Sequence, residues 1–222
     1  MIDTNPKIIG LLQQKGGVGK TTLSLNLAGY FASLGERVLL VDADPQGSSL
    51  SWSNARDDAS PFMVIGKAVP NIHKDLPEIA SDYDRVIIDG APGVNGLIRS
   101  CLLASDFVLV PVQPSPFDIW ACADAIEQVH EAITFKDNLK AAFVINRKIS
   151  NTVIGKKVFK AFSEQDFPVM DTAIHQRVIY AECASIGKTV FDMSDAATAK
   201  SAQLEIKRLA REIMQQQERA AA

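Results

Sequence analysis

Cysteine is scarce. The 222 residues include 3, Cys101, Cys122 and Cys183, odd in number, far apart and never in a Cys-x-x-Cys pair. That pattern excludes a disulfide framework and a zinc ribbon, and it leaves the three as ordinary thiols of the fold. Long apolar runs are missing too: no stretch approaches the roughly 20 residues that cross a bilayer. Met1 to Pro6 lacks the basic start and apolar core of a signal peptide, so a cytoplasmic location is expected. Nor is there an excess of positive charge, since 23 Lys and Arg face 26 Asp and Glu for a net charge of −3. Any nucleic-acid contact would therefore need a local basic patch. No linker, repeat or low-complexity tract divides the chain. One domain over 1–214 is expected, with 47% hydrophobic residues to build its core, followed by a polar tail at 215–222 that frays.

What is present is a pattern of short apolar runs separated by amphipathic stretches. Lys7 to Leu12, Arg37 to Val41, Arg85 to Asp89, Phe107 to Val112 and Ala141 to Asn146 have strand length and near-continuous apolar character. Helical spacing marks Thr21 to Leu34, Gly96 to Ala104, Ile119 to Phe135 and Val153 to Phe162. Buried strands alternating with helices specify an α/β fold of three layers, a mostly parallel central sheet covered by helices on both faces. Active groups in such sheets lie beyond the carboxyl ends of the strands. Asp42 with Asp44, Asp89 and Asn146 all fall at strand ends.

Between the first strand and the first helix runs Lys15-Gly16-Gly17-Val18-Gly19-Lys20-Thr21-Thr22. Gly19, Lys20 and Thr21 match the end of the phosphate-binding pattern G-x-x-x-x-G-K-[ST], in which backbone N–H groups surround phosphates, the lysine meets their oxygens and the hydroxyl meets Mg²⁺. A strand before it and a helix after it put the anion at a helix N-terminus. Gln14 stands where the first glycine belongs, and a second lysine, Lys15, precedes Lys20 by five residues. A dinucleotide fingerprint is excluded because Thr22 stands where its last glycine is needed. Asp89, directly after Val86-Ile87-Ile88, fits the aspartate that holds Mg²⁺ directly or through water. Asp42 and Asp44 are two apart, so strand geometry aims at most one along the site, and they also form a turn before Pro45.

The K-G-G-V-G-K-T-T loop, the V-D-A-D-P-Q-G segment and the I-I-D-G-A-P-G segment together resemble the ParA/MinD family of deviant Walker A ATPases over nearly the whole chain. Pro114 to Asp118, Ile145 to Lys148 and Ala173 to Tyr180 resemble the small, ParF-like DNA partition type. The resemblance implies a P-loop NTPase fold, ATP and Mg²⁺ as cofactors, and an ATP-sandwiched homodimer. In that dimer Lys15 reaches the partner's nucleotide while Lys20 and Thr21 serve their own. Gly16, Gly17, Val18, Gly19 and Thr22 complete the phosphate cradle. Asp44 orients the attacking water, Asp42 and Asp89 support the metal with Thr21, and Asn146 with Arg147 lies at the base or ribose.

The resemblance also implies sequence-independent DNA binding by the ATP dimer, release on hydrolysis stimulated by a ParB-like or ParG-like adaptor, and a place on the nucleoid. A terminal helix from about Asp195 to Met214 puts Ala202, Ile206, Leu209 and Ile213 on one face and Lys200, Lys207, Arg208 and Arg211 opposite, a surface for phosphates. Arg177 and Lys188 are weaker candidates, nearer the nucleotide. A membrane anchor of the MinD kind needs bulky apolar residues that the end of this chain does not offer. The same motor could segregate a plasmid or chromosome, or position a protein cargo such as a carboxysome or chemoreceptor cluster. A biosynthetic enzyme like dethiobiotin synthetase would need a second constellation, and electron transfer like that of the nitrogenase iron protein would need a cluster-bridging cysteine pair.

Overall fold

The computed structural model describes residues 7–93, 95–149, 160–162, 164–193 and 197–218. Six parallel strands form one sheet: β1 (Lys7–Leu11), β2 (Val38–Ala43), β3 (Met63–Gly66), β4 (Arg85–Gly90), β5 (Phe107–Val112) and β6 (Lys140–Ile145), in the order β3-β2-β4-β1-β5-β6. Helices α1 (Lys20–Ser33), α2 (Ser48–Asn54), α3 (Ile72–Ile79), α4 (Asn95–Ala104), α5 (Pro116–Ile133), α6 (Val178–Ser185) and α7 (Ala197–Glu218) accompany it, with a 3₁₀ turn at Val190–Asp192.

Strand alternation sorts the core into two layers. Ile87, Phe107 and Leu109 face α1 and α7, where Phe31, Ile206 and Leu209 meet them. Val86, Ile88, Val108 and Val110 face the opposite way, onto Ile72 and Leu76 of α3, Leu102 of α4 and Val129 of α5. Both faces of the sheet are therefore dry, which is why its strands read as unbroken apolar runs. The face of α7 that the sequence assigns to the core is fully buried at Ala202, Ile206, Leu209 and Ile213. Truncating Ile206 to Ala would cost about 2–5 kcal/mol.

Strand order places the site. β1 lies between β4 and β5, so the loop that leaves its carboxyl end sits where the chain's course across the sheet reverses. The β2–β4 register sets Asp42 beside Asp89, and the β1–β4 register sets Leu11 on the other side of Asp89. The outer edge of β6 is covered by a later strip of chain. Phe143 N donates to Pro168 O and Ile174 N to Ile145 O, each at 2.8 Å.

Several elements escape the sequence pattern. β3 is a short, half-exposed edge strand, α2 and α6 have no clear apolar stripe, and α3 carries Pro77 within it. The helix α7 runs on to Glu218, into the stretch expected to fray; 219–222 lie outside the described residues. The amphipathic stretch 153–162 also lies outside them, except for 160–162, which are helical.

Candidate functional site

The loop between β1 and α1 is built for an anion. Gly17 and Gly19 adopt φ of +73° and +96°, conformations that side chains resist. A Cβ on Gly19 would meet Asn146 Nδ2 at 2.2 Å, whereas Cβ atoms on Gly16 and Gly17 would meet nothing within 4 Å. One wall of the loop is thus pressed against protein and the other stands open. Gly19 caps α1 without any side-chain hydrogen bond, so the first N–H groups of that helix are left for a ligand.

Two amides brace the loop from outside. Asn146 Nδ2 donates to Val18 O at 2.7 Å and Gln113 Nε2 to Gly17 O at 3.0 Å. The buried Asn146 amide nitrogen thus holds the phosphate loop. Arg147 lies, with Asn146, on the wall of an open cleft of about 950 Å³ that also involves Thr22, Lys148, His175, Arg177 and Tyr180. Its φ of +51° marks a strained backbone at that wall. Tyr180 also borders a second hollow of about 420 Å³ beside α1 and α2, and its buried hydroxyl has no hydrogen-bond partner among the described residues.

Lys20 is buried and folds back, donating from Nζ to Gln13 O at 2.9 Å and Lys15 O at 3.3 Å. Burial lowers its pKa, while the charges of Asp89 and Asp44 act to raise it. Asp89 is almost fully buried, accepting from Ser49 Oγ at 2.8 Å, Ser24 Oγ at 3.3 Å and the side chain of Thr21. Desolvation pushes it up to about 6 against those hydroxyl bonds. A buried carboxylate ringed by hydroxyls, with no salt bridge among the described residues, is an anionic site that a cation would complete. No group of three or more His, Cys, Asp or Glu converges among the described residues. A Mg²⁺ that keeps waters and phosphate oxygens as ligands needs no such cage.

Asp42 is bonded to backbone at both oxygens. One oxygen accepts Asp44 N at 3.2 Å and the other accepts Leu50 N at 3.0 Å, so it fixes the turn into α2. Burial raises its pKa against those backbone bonds. Asp44 is half-buried at the carboxyl end of β2, its Oδ1 accepting Gln46 N of its own turn at 2.9 Å. Lys15 points away from Lys20 to Asp118 Oδ2, 2.8 Å away. Lys200, Arg208 and Arg211 are exposed on α7, while half-buried Lys207 lies 5.9 Å from the ring centre of Phe191.

The three cysteines are buried; desolvation raises Cys101 and Cys122 to about 12 and Cys183 to about 11. Cys101, in the core, is in no position to bridge a cluster between subunits. Sequence reasoning missed Ser49, Gln113, Asp118 and Glu205. Asp118 closes the Pro114 to Asp118 motif, but nothing local shows that it meets Lys15.

A parallel sheet with this loop at its central strand end defines a P-loop nucleotide-binding protein. Residues 9–190 match the CobQ/CobB/MinD/ParA nucleotide binding domain, and the chain belongs to that family. It is 32% identical over 205 residues to the maintenance of carboxysome distribution protein A of Halothiobacillus neapolitanus, covering 90% of this chain and 93% of that one. It is 29% identical over 249 residues to the chromosome-partitioning ATPase Soj of Thermus thermophilus, covering 96% and 98%. Its fold matches a Cyanothece McdA–ATP complex with a TM-score of 0.73 at 14% identity, covering 95% and 97%. It also matches MinD of Pyrococcus horikoshii complexed with Mg-ADP, with a TM-score of 0.69 at 19% identity, covering 94% and 96%. No helix among the described residues is long and apolar enough to cross a membrane.

Proposed function

We propose that this chain is a Mg²⁺-dependent ATPase that closes into an ATP-bound sandwich dimer, holds DNA without sequence preference and lets go on hydrolysis, so partitioning a plasmid or chromosome. The observation that carries the reading is Lys15. The loop already has Lys20 for its own phosphates, and the Lys15 ammonium is directed elsewhere. A second lysine free of the local cradle suits a charge delivered across a dimer, the logic of an arginine finger.

Within a subunit, backbone N–H groups from Gly16 to Thr22 and the Lys20 ammonium bind the phosphates. Thr21 and Asp89 would hold Mg²⁺, which when bound neutralises charge on the phosphate oxygens. Asp44, whose carboxylate accepts Gln46 N of its own turn, orients the attacking water, and Asp42 keeps that turn in shape. The cleft beside Arg147 takes the base and ribose. Lys200, Lys207, Arg208 and Arg211 meet DNA phosphates, and pairing two subunits doubles the patch. An adaptor of the ParB or ParG kind stimulates release. The protein works in the cytoplasm, on the nucleoid.

Sedimentation with ATP, ADP or no nucleotide, with and without random-sequence duplex, tests this. A dimer and DNA co-sedimentation are expected only with ATP; a monomer under all conditions would overturn the dimer mechanism. A protein cargo is the second reading, favoured by the similarity to carboxysome distribution proteins over most of both chains. Deleting the gene and scoring replicon loss against the spacing of protein assemblies separates the two.

A further inference from the structure

Glu205 stands on α7, two residues before Lys207, yet its carboxylate faces the other way, into the wall of the nucleotide cleft. It accepts His175 N at 3.2 Å, His175 Nδ1 at 2.9 Å, Arg177 Nε at 3.3 Å and Arg177 Nη2 at 2.5 Å. Its side chain is only 12% exposed. Both partners line the cleft. An unpaired guanidinium on a rim sweeps many rotamers, whereas a two-point fork onto a largely buried carboxylate has one aim.

The strip bearing these residues is fastened on both sides. Lys148 N donates to Ile174 O at 2.9 Å and Gln176 N to Lys148 O at 3.1 Å, tying it to the strained Arg147 turn. On the other side, α7 holds it with Glu205 and again with Glu212, which accepts Thr172 N at 3.1 Å and the Thr172 hydroxyl. Glu205 and Glu212 are seven residues apart, two turns along one helix face. Thr172, unlike His175 and Arg177, does not line the cleft. One helix therefore makes two similar clips, only one of them to the cleft wall.

We propose that Glu205 is a positioning residue for the nucleotide cleft: it sets His175 and Arg177 on the cleft wall and, by standing on the basic helix, carries nucleotide occupancy into that helix. This rests on the nucleotide-binding reading of the cleft given above. By linkage, whatever a nucleotide does to this helix, a polyanion on the helix does in equal measure to nucleotide affinity.

The test compares the wild type with E205Q, E205D and E212Q. In E205Q one acceptor oxygen becomes an NH₂ facing donor-only Arg177, so affinity for a non-hydrolysable Mg-ATP analogue should fall about ten-fold, a typical coupling factor. E205D, which keeps the charge, should recover part of that loss, and E212Q should match the wild type. Hydrogen exchange gives the second readout. The analogue should slow exchange across 197–212 in the wild type and E212Q, but not in E205Q. Should E205Q fail to fold by circular dichroism, E205D decides: unchanged affinity and exchange there overturn the inference. With the analogue bound by the wild type, E205Q behaving like E212Q, or a wild-type helix that ignores the analogue, would overturn the inference alone. No binding of the analogue to the wild type would overturn the proposed function, and this inference with it.

Discussion

Lys15 Nζ lies 2.8 Å from Asp118 Oδ2, an ion pair that joins the phosphate loop to the first turn of α5 across 103 positions of the chain. Asp118 is fully buried, and its other oxygen accepts Gln113 N at 3.2 Å. Gln113 in turn holds Gly17 O, so the residues around Lys15 form one braced unit. In the proposed dimer Lys15 must leave this partner.

Lys15→Ala should therefore do two things. It should abolish turnover and the ATP dimer, and it should lower the stability of the nucleotide-free protein by about 1–3 kcal/mol, because a buried carboxylate loses its cation. Urea melts of Lys15→Ala, Asp118→Asn and the double variant check the second effect. The double variant should be more stable than Lys15→Ala alone; strictly additive losses would show that the pair does not matter.

Asp44→Ala should trap the ATP dimer. The substitution leaves the phosphate cradle intact and removes only the group proposed to orient water, so hydrolysis should fall by about 10²–10⁴-fold while nucleotide affinity holds. Steady-state phosphate release and sedimentation together measure this. Near-normal hydrolysis would move the role to another residue.

Gly19→Ala should lose nucleotide binding outright. Both its φ of +96° and the approach of Asn146 Nδ2 forbid a Cβ there. Asn146→Ala should be milder, leaving Val18 O without its partner at a cost of about 1–3 kcal/mol in stability and loosening the cradle. Calorimetric titration with Mg-ADP would show the order, and equal affinities for the two variants would refute the bracing role.

Replacing Lys207, Arg208 and Arg211 together with Ala should weaken DNA binding and flatten its salt dependence, by about one unit of slope for each DNA phosphate left without its cation. The core of α7 stays closed, since Arg208 and Arg211 are exposed and Lys207 only overlies Phe191. Affinity across a salt series on two unrelated duplexes is the measurement. An unchanged slope would remove the helix from the DNA surface.

Acid stability offers a check away from the site. Asp84 accepts Arg37 N, Nε and Nη2 at 2.8, 3.2 and 2.8 Å and is held down to about 2 by those bonds. Its folded pKa lies below the ordinary 3.8, so its stabilising effect is complete above that ordinary value and is lost as pH falls through the folded one. Wild type and Asp84→Asn should differ in stability at neutral pH and converge between about pH 4 and pH 2. A constant gap across that window would contradict the assignment.

The sequence alone determined the alternation of buried strands and helices, the phosphate loop and the acids at the strand ends. Each is a local pattern of period, spacing or turn chemistry, and the helix that docks through Ile206 and Leu209 is legible for the same reason. Short or half-exposed elements such as β3 and α2 leave too little periodicity to read. Tertiary structure alone decided the partners. Lys15 shows no partner within its own subunit until strand order brings α5 beside the loop and Asp118 within 2.8 Å of it. Asn146 shows no link to the phosphate loop until the end of β6 is seen to abut Gly19. Glu205 shows no partner in the sequence until the strip 172–177 is laid between that helix and β6. Side chains that meet across a hundred residues leave no trace in spacing, because the sheet's strand order and not the chain's local period brings them together.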